Sequence, residues 1–115
     1  MNRNDTQFEI ELLQIAAEAG DSASQYKLGY CYDNGLNVKR SVNEAIKWYK
    51  LAAEQGHCEA ILTLGIFCGI GRGTLANSDK AAEWFSKIPK GEVVSVSFHN
   101  FGSLTFSDDG NREST

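Results

Sequence analysis

The sequence predicts an all-α fold, a short α/α solenoid of helix–turn–helix repeats with an irregular C-terminal cap. Apolar residues recur at helical spacing along most of the chain, and helix-capping signals separate these stretches. The best-defined stretch, residues 44–56 (EAIKWYKLAAEQG), has a weaker copy at residues 8–20, an offset of 36 residues. A fixed period of this size indicates a solenoid, in which each unit packs mainly on its neighbours.

The composition is that of one ordinary globular domain. The chain has 115 residues, is 42% hydrophobic and 23% charged, and carries a net charge of −4. This acidic balance offers no electrostatic footprint for nucleic acid or an anionic membrane. No apolar run approaches the ~20 residues that span a bilayer, and the acidic N-terminal stretch is unlike a secretory signal. Three cysteines without such a signal favour reduced thiols, so we expect a cytoplasmic protein.

The first predicted unit is the leading helix of a partial repeat, residues 1–20. Its start is expected at Asp5 or Thr6, because Thr6-Gln7-Phe8-Glu9 fits a capping box. Gly20 is a natural left-handed C-cap.

Repeat one is predicted to cover residues 21–56. Its first helix is capped by Asp21 or Ser22 and ends near Asp33, and residues 41–44 form a second capping box that opens the next helix. That helix has an apolar stripe of alternating large and small residues: Ala45, Trp48, Tyr49, Ala52 and Ala53.

Repeat two is predicted to cover residues 57–90. Glycine-rich residues 69–73 form its turn, Asn77 or Ser78 caps its second helix, and Pro89 stops that helix. The apolar stripe of this helix consists of Ala81, Ala82, Trp84, Phe85 and Ile88. Both tryptophans recur at the repeat period, so we expect them to be core residues.

Residues 91–115 are predicted to be a degenerate cap followed by a disordered tail from Ser107. Two patterns compete before the tail. Val94, Val96 and Phe98 alternate like a strand that could form a hairpin, whereas Phe101-Gly102 could replace Leu28-Gly29 in a degraded third unit. We expect an irregular helix here, because the open end of a solenoid leaves an apolar face to cover.

The repeated strings resemble the Sel-one-like repeat, a helix-pair relative of the tetratricopeptide repeat. The strings are Ala-x-x-Gly, Tyr-x-Leu-Gly-x-x-Tyr-x-x-Gly and Ala-x-x-Trp-Tyr-x-x-Ala-Ala-x-x-Gly, within residues 6–89. They are carried by Ala17, Gly20, Tyr26, Leu28, Gly29, Tyr32, Gly35, Ala45, Trp48, Tyr49, Ala52, Ala53 and Gly56. The second copy departs from the pattern with Leu62 in place of Tyr26 and Cys68 in place of Tyr32.

The resemblance implies a concave surface that is lined by the first helix of each pair and binds partners. On this basis the candidate partner-binding residues are Tyr26, Lys27, Tyr30 and Asp33 in repeat one and Leu62, Thr63 and Ile66 in repeat two. Packing on an adjacent repeat is an equally open alternative for Tyr26 and Leu62. Tyr30 and Ile66 are expected to be exposed.

The sequence gives no catalytic, metal or cofactor site. Nothing places a nucleophile beside a base, and the spacings of His57, His99 and the cysteines are not those of zinc ligands. Residues 69–73 lack the preceding strand that a phosphate-binding loop needs.

We therefore expect a non-enzymatic interaction module, an adaptor or scaffold for an unidentified protein or peptide. An immunity- or antitoxin-like inhibitor is a narrower alternative. From a different class, a β-lactam-related hydrolase is an alternative that the resemblance raises, although such relatives are disulfide-rich and this chain is not. Self-association is a further alternative, as a homodimer through the C-terminal end.

Overall fold

The computed structural model describes residues 3–98 and 102–107. In these residues five helices precede a pair of strands: α1 (Arg3–Glu18), α2 (Ser22–Asn34), α3 (Val42–Glu54), α4 (Cys58–Ile70), α5 (Ser78–Phe85), β1 (Val93–Phe98) and β2 (Gly102–Ser107). Each helix packs on the next one along the chain, and β1 packs on α4. The predicted α/α solenoid is confirmed.

Side-chain caps begin three of the helices where the sequence predicts them. Asp21 accepts a hydrogen bond from the Ser24 backbone N–H at 2.9 Å, and Ser41 accepts one from Glu44 at 3.2 Å. Asn77 accepts one from Lys80 at 3.0 Å at the start of α5. Each bond satisfies one of the backbone donors that a helix leaves free at its first turn. The predicted start of α1 is wrong, since this helix already begins at Arg3.

Glycines let the paired helices approach closely. A Cβ atom on Gly29 would lie 2.7 Å from Cδ1 of Tyr49, and one on Gly65 would clash with the Phe85 ring. Because Gly29 and Gly65 are one repeat apart, the same device joins α2 to α3 and α4 to α5.

Two buried apolar clusters hold the helices together. The smaller one joins α1, α2 and α3 and consists of Ile10, Ala17, Leu28 and Trp48. The larger one joins α3, α4 and β1, with Tyr49, Ile61, Leu62, Leu64, Phe67, Val94 and Val96 among its members. Burial of each large side chain contributes about 1.5–3 kcal/mol, so the apolar stripes provide most of the stabilisation.

A β-hairpin occupies the place where we expected an irregular helix, so that expectation is wrong. The alternative pattern, the alternation of Val94, Val96 and Phe98, predicts the observed strand. β1 and β2 are antiparallel, from the pair Val93 and Ser107 to the pair Phe98 and Gly102. Val94 and Val96 are 4% and 3% exposed and cover α4. Alternating β-branched residues favour a strand with one buried face, and here that preference prevails.

Ser107 belongs to β2, so the tail that we predicted to be disordered does not begin there. The rest of that tail, and Phe101, lie outside the described residues. The predicted repeat boundaries stay predictions.

Candidate functional site

A groove of about 420 Å³ lies between α1, α2, α4 and β1. We call it the α2 groove. Its lining residues are Leu13, Tyr26, Lys27, Tyr30, Cys31, Glu59 and Val96. Three of the predicted partner-binding residues, Tyr26, Lys27 and Tyr30, are brought together in it.

The helical period of α2 explains why these residues face the groove. Tyr26 and Tyr30 are four positions apart, so they lie one above the other on the same side of the helix. Leu28 lies on the opposite side, where it is fully buried in the smaller cluster. Gly29 is a neighbour of Tyr26 on the helix surface, and both residues pack on Tyr49. These contacts anchor α2, and Tyr26 and Tyr30 lie beside the open space.

Tyr26 both packs on repeat two and lines the groove. Its ring centroid lies 5.0 Å from that of His57 in a stacked arrangement and 5.4 Å from that of Tyr49. Packing on the adjacent repeat, one of the two alternatives for Tyr26, is therefore observed, while its role in partner binding stays a prediction. Burial raises the pKa of the Tyr26 phenol above its usual range, so the group is a neutral donor at physiological pH.

Asp33 is not on an open surface, contrary to the prediction. Its side chain is 8% exposed and forms an ion pair with the Arg72 guanidinium. Arg72 Nε donates to Asp33 Oδ1 at 3.2 Å, and the guanidinium carbon lies 5.3 Å from the Phe67 ring centroid. Arg72 lies in the turn after α4, in repeat two. The Asp33 carboxylate of repeat one is therefore paired within the chain.

The three predicted residues of α4 do not line the groove either. Leu62 and Thr63 are each 3% exposed, and Ile66 is half-buried against the larger cluster. The prediction that Tyr30 and Ile66 are exposed is therefore wrong, since both side chains are half-buried. For α4 the reason is the hairpin, since Val94 and Val96 join the same buried cluster as Leu62, and Ile66 packs against that cluster. Thr63 Oγ1 donates to the Glu59 carbonyl at 2.8 Å within α4.

Four residues of the α2 groove were missed by sequence reasoning: Leu13, Cys31, Glu59 and Val96. Leu13 stands one repeat before Tyr49, a residue of the predicted apolar stripe. The repeat period could therefore have placed Leu13 on the side of α1 that faces the neighbouring helices. Val96 belongs to the alternating stretch that predicts a strand, but the packing of that strand beside α2 is a long-range property. Cys31 is half-buried, since it packs against the smaller apolar cluster and also lines the groove.

The chemistry of the groove is that of an amphipathic surface. Two tyrosine side chains and two aliphatic ones provide apolar contact, while Lys27 and Glu59, both exposed, provide one charge of each sign. Burial raises the pKa of the Cys31 thiol, which keeps it protonated and weakly nucleophilic. Such a surface suits recognition of a side chain flanked by polar backbone.

Other site chemistries find no support in residues 3–98 and 102–107. No group of three or more His, Cys, Asp or Glu residues in this part of the chain could hold a metal ion. The helices described there include none that is long and apolar enough to cross a membrane. Cys31, Cys58 and Cys68 are free thiols.

Comparison with known proteins identifies the repeat. A family model for the Sel1 repeat matches residues 10–21, 22–57 and 58–88. Mouse DAP3-binding cell death enhancer 1 is 43% identical over 53 residues, which are 46% of this chain and 10% of that protein. Chitin synthase regulatory factor 2 of Schizosaccharomyces pombe is 30% identical over 88 residues, 76% of this chain and 17% of that protein. The chain therefore spans less than a fifth of either relative.

Solved structures share this fold. Helicobacter pylori cysteine rich protein B superposes with a TM-score of 0.69 at 27% identity, covering 76% of this chain and 64% of that one. The Escherichia coli protein c5321, a protective antigen of uropathogenic strains with the same kind of repeat fold, gives a TM-score of 0.67 at 33% identity. That match covers 69% of this chain and 17% of c5321.

Proposed function

Because the chain belongs to the Sel1 repeat family, we propose that it is a protein–protein interaction module that binds a peptide segment in the α2 groove. The observation that carries the proposal is the groove itself, with Tyr26 and Tyr30 beside an open space of about 420 Å³. Repeat solenoids use their concave surfaces for binding. Tyrosines are among the residues that most often dominate binding energy at protein interfaces.

The lining residues indicate the chemistry of the segment. An apolar or aromatic side chain of the partner fits between Tyr30 and the aliphatic side chains of Leu13 and Val96. An acidic residue next to it would pair with Lys27, and a basic residue with Glu59. The volume lies within the roughly 300–1,000 Å³ typical of ligand clefts, which suits a short segment rather than a folded domain.

Two further considerations support a binding role without catalysis. The names of two relatives, DAP3-binding cell death enhancer 1 and chitin synthase regulatory factor 2, give those proteins a binding role and a regulatory role. In the groove, the raised pKa of Cys31 opposes its use as a thiolate, and none of the described lining residues is a histidine that could activate it. An adaptor role and a cytoplasmic location are part of the proposal.

The test begins with a displayed library of random peptides selected on the wild-type chain. The affinity of selected peptides is then measured by fluorescence anisotropy for wild type, Tyr30→Ala and Lys27→Glu. We expect Tyr30→Ala to weaken binding by at least about tenfold, as loss of a central aromatic contact does. Lys27→Glu is expected to lower the affinity for selected peptides that carry an acidic residue.

Lys50→Glu is the matched control for charge reversal. Lys50 is an exposed lysine of α3 that is not among the groove residues. This variant should bind as wild type does. The proposal is overturned if folded Tyr30→Ala, verified by circular dichroism, binds the selected peptides with unchanged affinity.

A further inference from the structure

The first helix carries an exposed apolar strip on the side away from α2. Phe8, Leu12 and Ile15 are 60%, 50% and 63% exposed. They are spaced by four and three residues, which places them within an arc of about 60° at 100° per residue. We call these three side chains the α1 seam. Contiguous exposed apolar groups on a monomer mark an interaction surface, whereas single ones do not.

The seam differs from the surface of α3 at two of its three positions, since only Ile15 has an exposed apolar counterpart there, Leu51. One repeat later, Glu44 stands in the place of Phe8 and Trp48 in the place of Leu12. Trp48 is 7% exposed because α1 and α2 cover it, and Glu44 is a polar, partly exposed residue. The leading helix therefore has an apolar residue, Phe8, where α3 has a polar one. Leu12 is exposed, whereas Trp48 at the equivalent position of α3 is covered by other helices.

Negative charges flank the seam on both sides. Glu9 lies on one side and Glu11 and Glu18 on the other, and all three are exposed. Residues 7–18 contain no lysine or arginine. None of the three carboxylates forms an ion pair with a residue that the structure describes; the Gln7 amide donates to Glu11 at 3.4 Å.

We infer that the α1 seam docks an amphipathic helix of a different protein, whose apolar stripe is flanked by lysine or arginine. The four–three spacing is that of the seam in paired helices, so a helix matches it better than an extended strand does. The three carboxylates favour basic neighbours, because charges at such flanking positions select the partner.

The same carboxylates disfavour a second copy of this chain as the occupant. Two α1 seams facing each other would bring Glu11 and Glu18 of both copies together, and like charges at a helix pair are destabilising. The seam is also separate from the α2 groove, since none of its three residues lines that groove. A chain with both surfaces can hold two partners at once.

Two synthetic helical peptides test the inference. Both have the same leucine stripe, flanked by lysine in one peptide and by glutamate in the other. We expect the lysine-flanked peptide to bind wild type at least about tenfold more tightly than the glutamate-flanked one, with an affinity that falls as salt is raised. Fluorescence anisotropy at several salt concentrations measures both effects.

Leu12→Gln is expected to weaken binding of the lysine-flanked peptide by at least about tenfold. Leu51→Gln is the matched control, because Leu51 is an exposed leucine one repeat after Ile15, on α3. Leu51→Gln and Tyr30→Ala should leave this affinity unchanged. Leu12 is half exposed, so its replacement should leave the helical circular dichroism spectrum intact.

Three results would overturn the inference. The first is equal binding of both peptides, and the second is unchanged binding to Leu12→Gln. The third is concentration-dependent dimerisation of wild type in light scattering that Leu12→Gln abolishes, since it would assign the seam to a second copy.

Discussion

The carboxylate of Asp33 at the end of α2 accepts hydrogen bonds from the guanidinium of Arg72, in the turn that follows α4. The two residues are 39 positions apart and belong to successive helix pairs. Arg72 also lies over the ring of Phe67, and Arg40 Nε donates to the Asp33 carbonyl at 3.0 Å. The ion pair between Asp33 and Arg72 thus joins the two repeats through a polar contact.

Arg72→Met is expected to lower the free energy of unfolding by about 3 kcal/mol, because it leaves the Asp33 carboxylate buried without its partner. We take the lower end of the usual range since the Arg72 side chain is 32% exposed. The double variant Asp33→Asn/Arg72→Met should be more stable than Arg72→Met alone. Urea unfolding measures all three chains, and a loss below about 0.5 kcal/mol would show that the pair behaves like a solvated surface contact.

Gly65→Ala and Gly69→Ala are expected to change stability in opposite directions, although both lie in α4. A Cβ on Gly65 clashes with the Phe85 ring, and overpacking of this kind costs about 1–3 kcal/mol. A Cβ on Gly69 meets Ala81 Cβ at an ordinary 3.6 Å, so the better helix propensity of alanine should stabilise by up to about 1 kcal/mol. Chemical unfolding measures the change in stability of both variants. Equal changes for Gly65→Ala and Gly69→Ala would contradict the close packing of α4 on α5.

Trp48→Ala is expected to destabilise the chain more than Trp84→Ala does. Trp48 is 7% exposed in the smaller cluster, and its truncation should cost about 3–5 kcal/mol. Trp84 is half-buried, so its truncation to alanine should lower the free energy of unfolding by roughly 2 kcal/mol. Thermal unfolding followed by circular dichroism compares the two variants, and a larger loss for Trp84→Ala would be inconsistent with this packing.

Asp21 is expected to make stability depend on pH in the acid range. Hydrogen bonds from the Ser24 hydroxyl and backbone N–H lower the pKa of the Asp21 carboxyl below its usual range. Because the pKa of Asp21 is lower in the folded state, its carboxylate stabilises the fold at pH values above the unfolded pKa. This stabilisation is lost as the pH falls through the folded pKa. The melting temperature of Asp21→Asn should therefore lie below that of wild type near pH 7 and approach it near pH 3. A difference that is constant with pH would show that the charge is irrelevant to the cap.

Local signals explain how much of the fold was predictable. The helices and three of the caps follow from periodicity and from Asp21, Ser41 and Asn77, because these interactions lie within a few residues of each other along the chain. The segment at β1 satisfied two local patterns, and the choice between them depends on the contact of Val94 and Val96 with α4. Sequence spacing carries no information about that contact.

The candidate site was predictable only where it follows the period of α2. Tyr26 and Tyr30 could be placed on the groove side, because one helix fixes their direction. Asp33 was misassigned and Leu62 follows the packing alternative that the sequence left open, for one common reason. Their partners, Arg72 and the hairpin, come from distant parts of the chain and cover positions that the helical pattern alone leaves open.

Alkylation of the native cysteines tests the proposed groove most directly. Cys31 lines the α2 groove and Cys58 does not, while burial raises the pKa of both thiols. Both should therefore react slowly with iodoacetamide at about pH 8, because the thiolate is the reactive form. The unmodified chain thus contains a reporter and its control.

The rate at each cysteine is measured by mass spectrometry with and without a peptide selected on the wild-type chain. We expect a saturating peptide to slow alkylation of Cys31 by at least about tenfold, while the rate at Cys58 stays unchanged. An unchanged rate at Cys31 under saturating peptide would contradict binding in the α2 groove and assign the peptide to another surface.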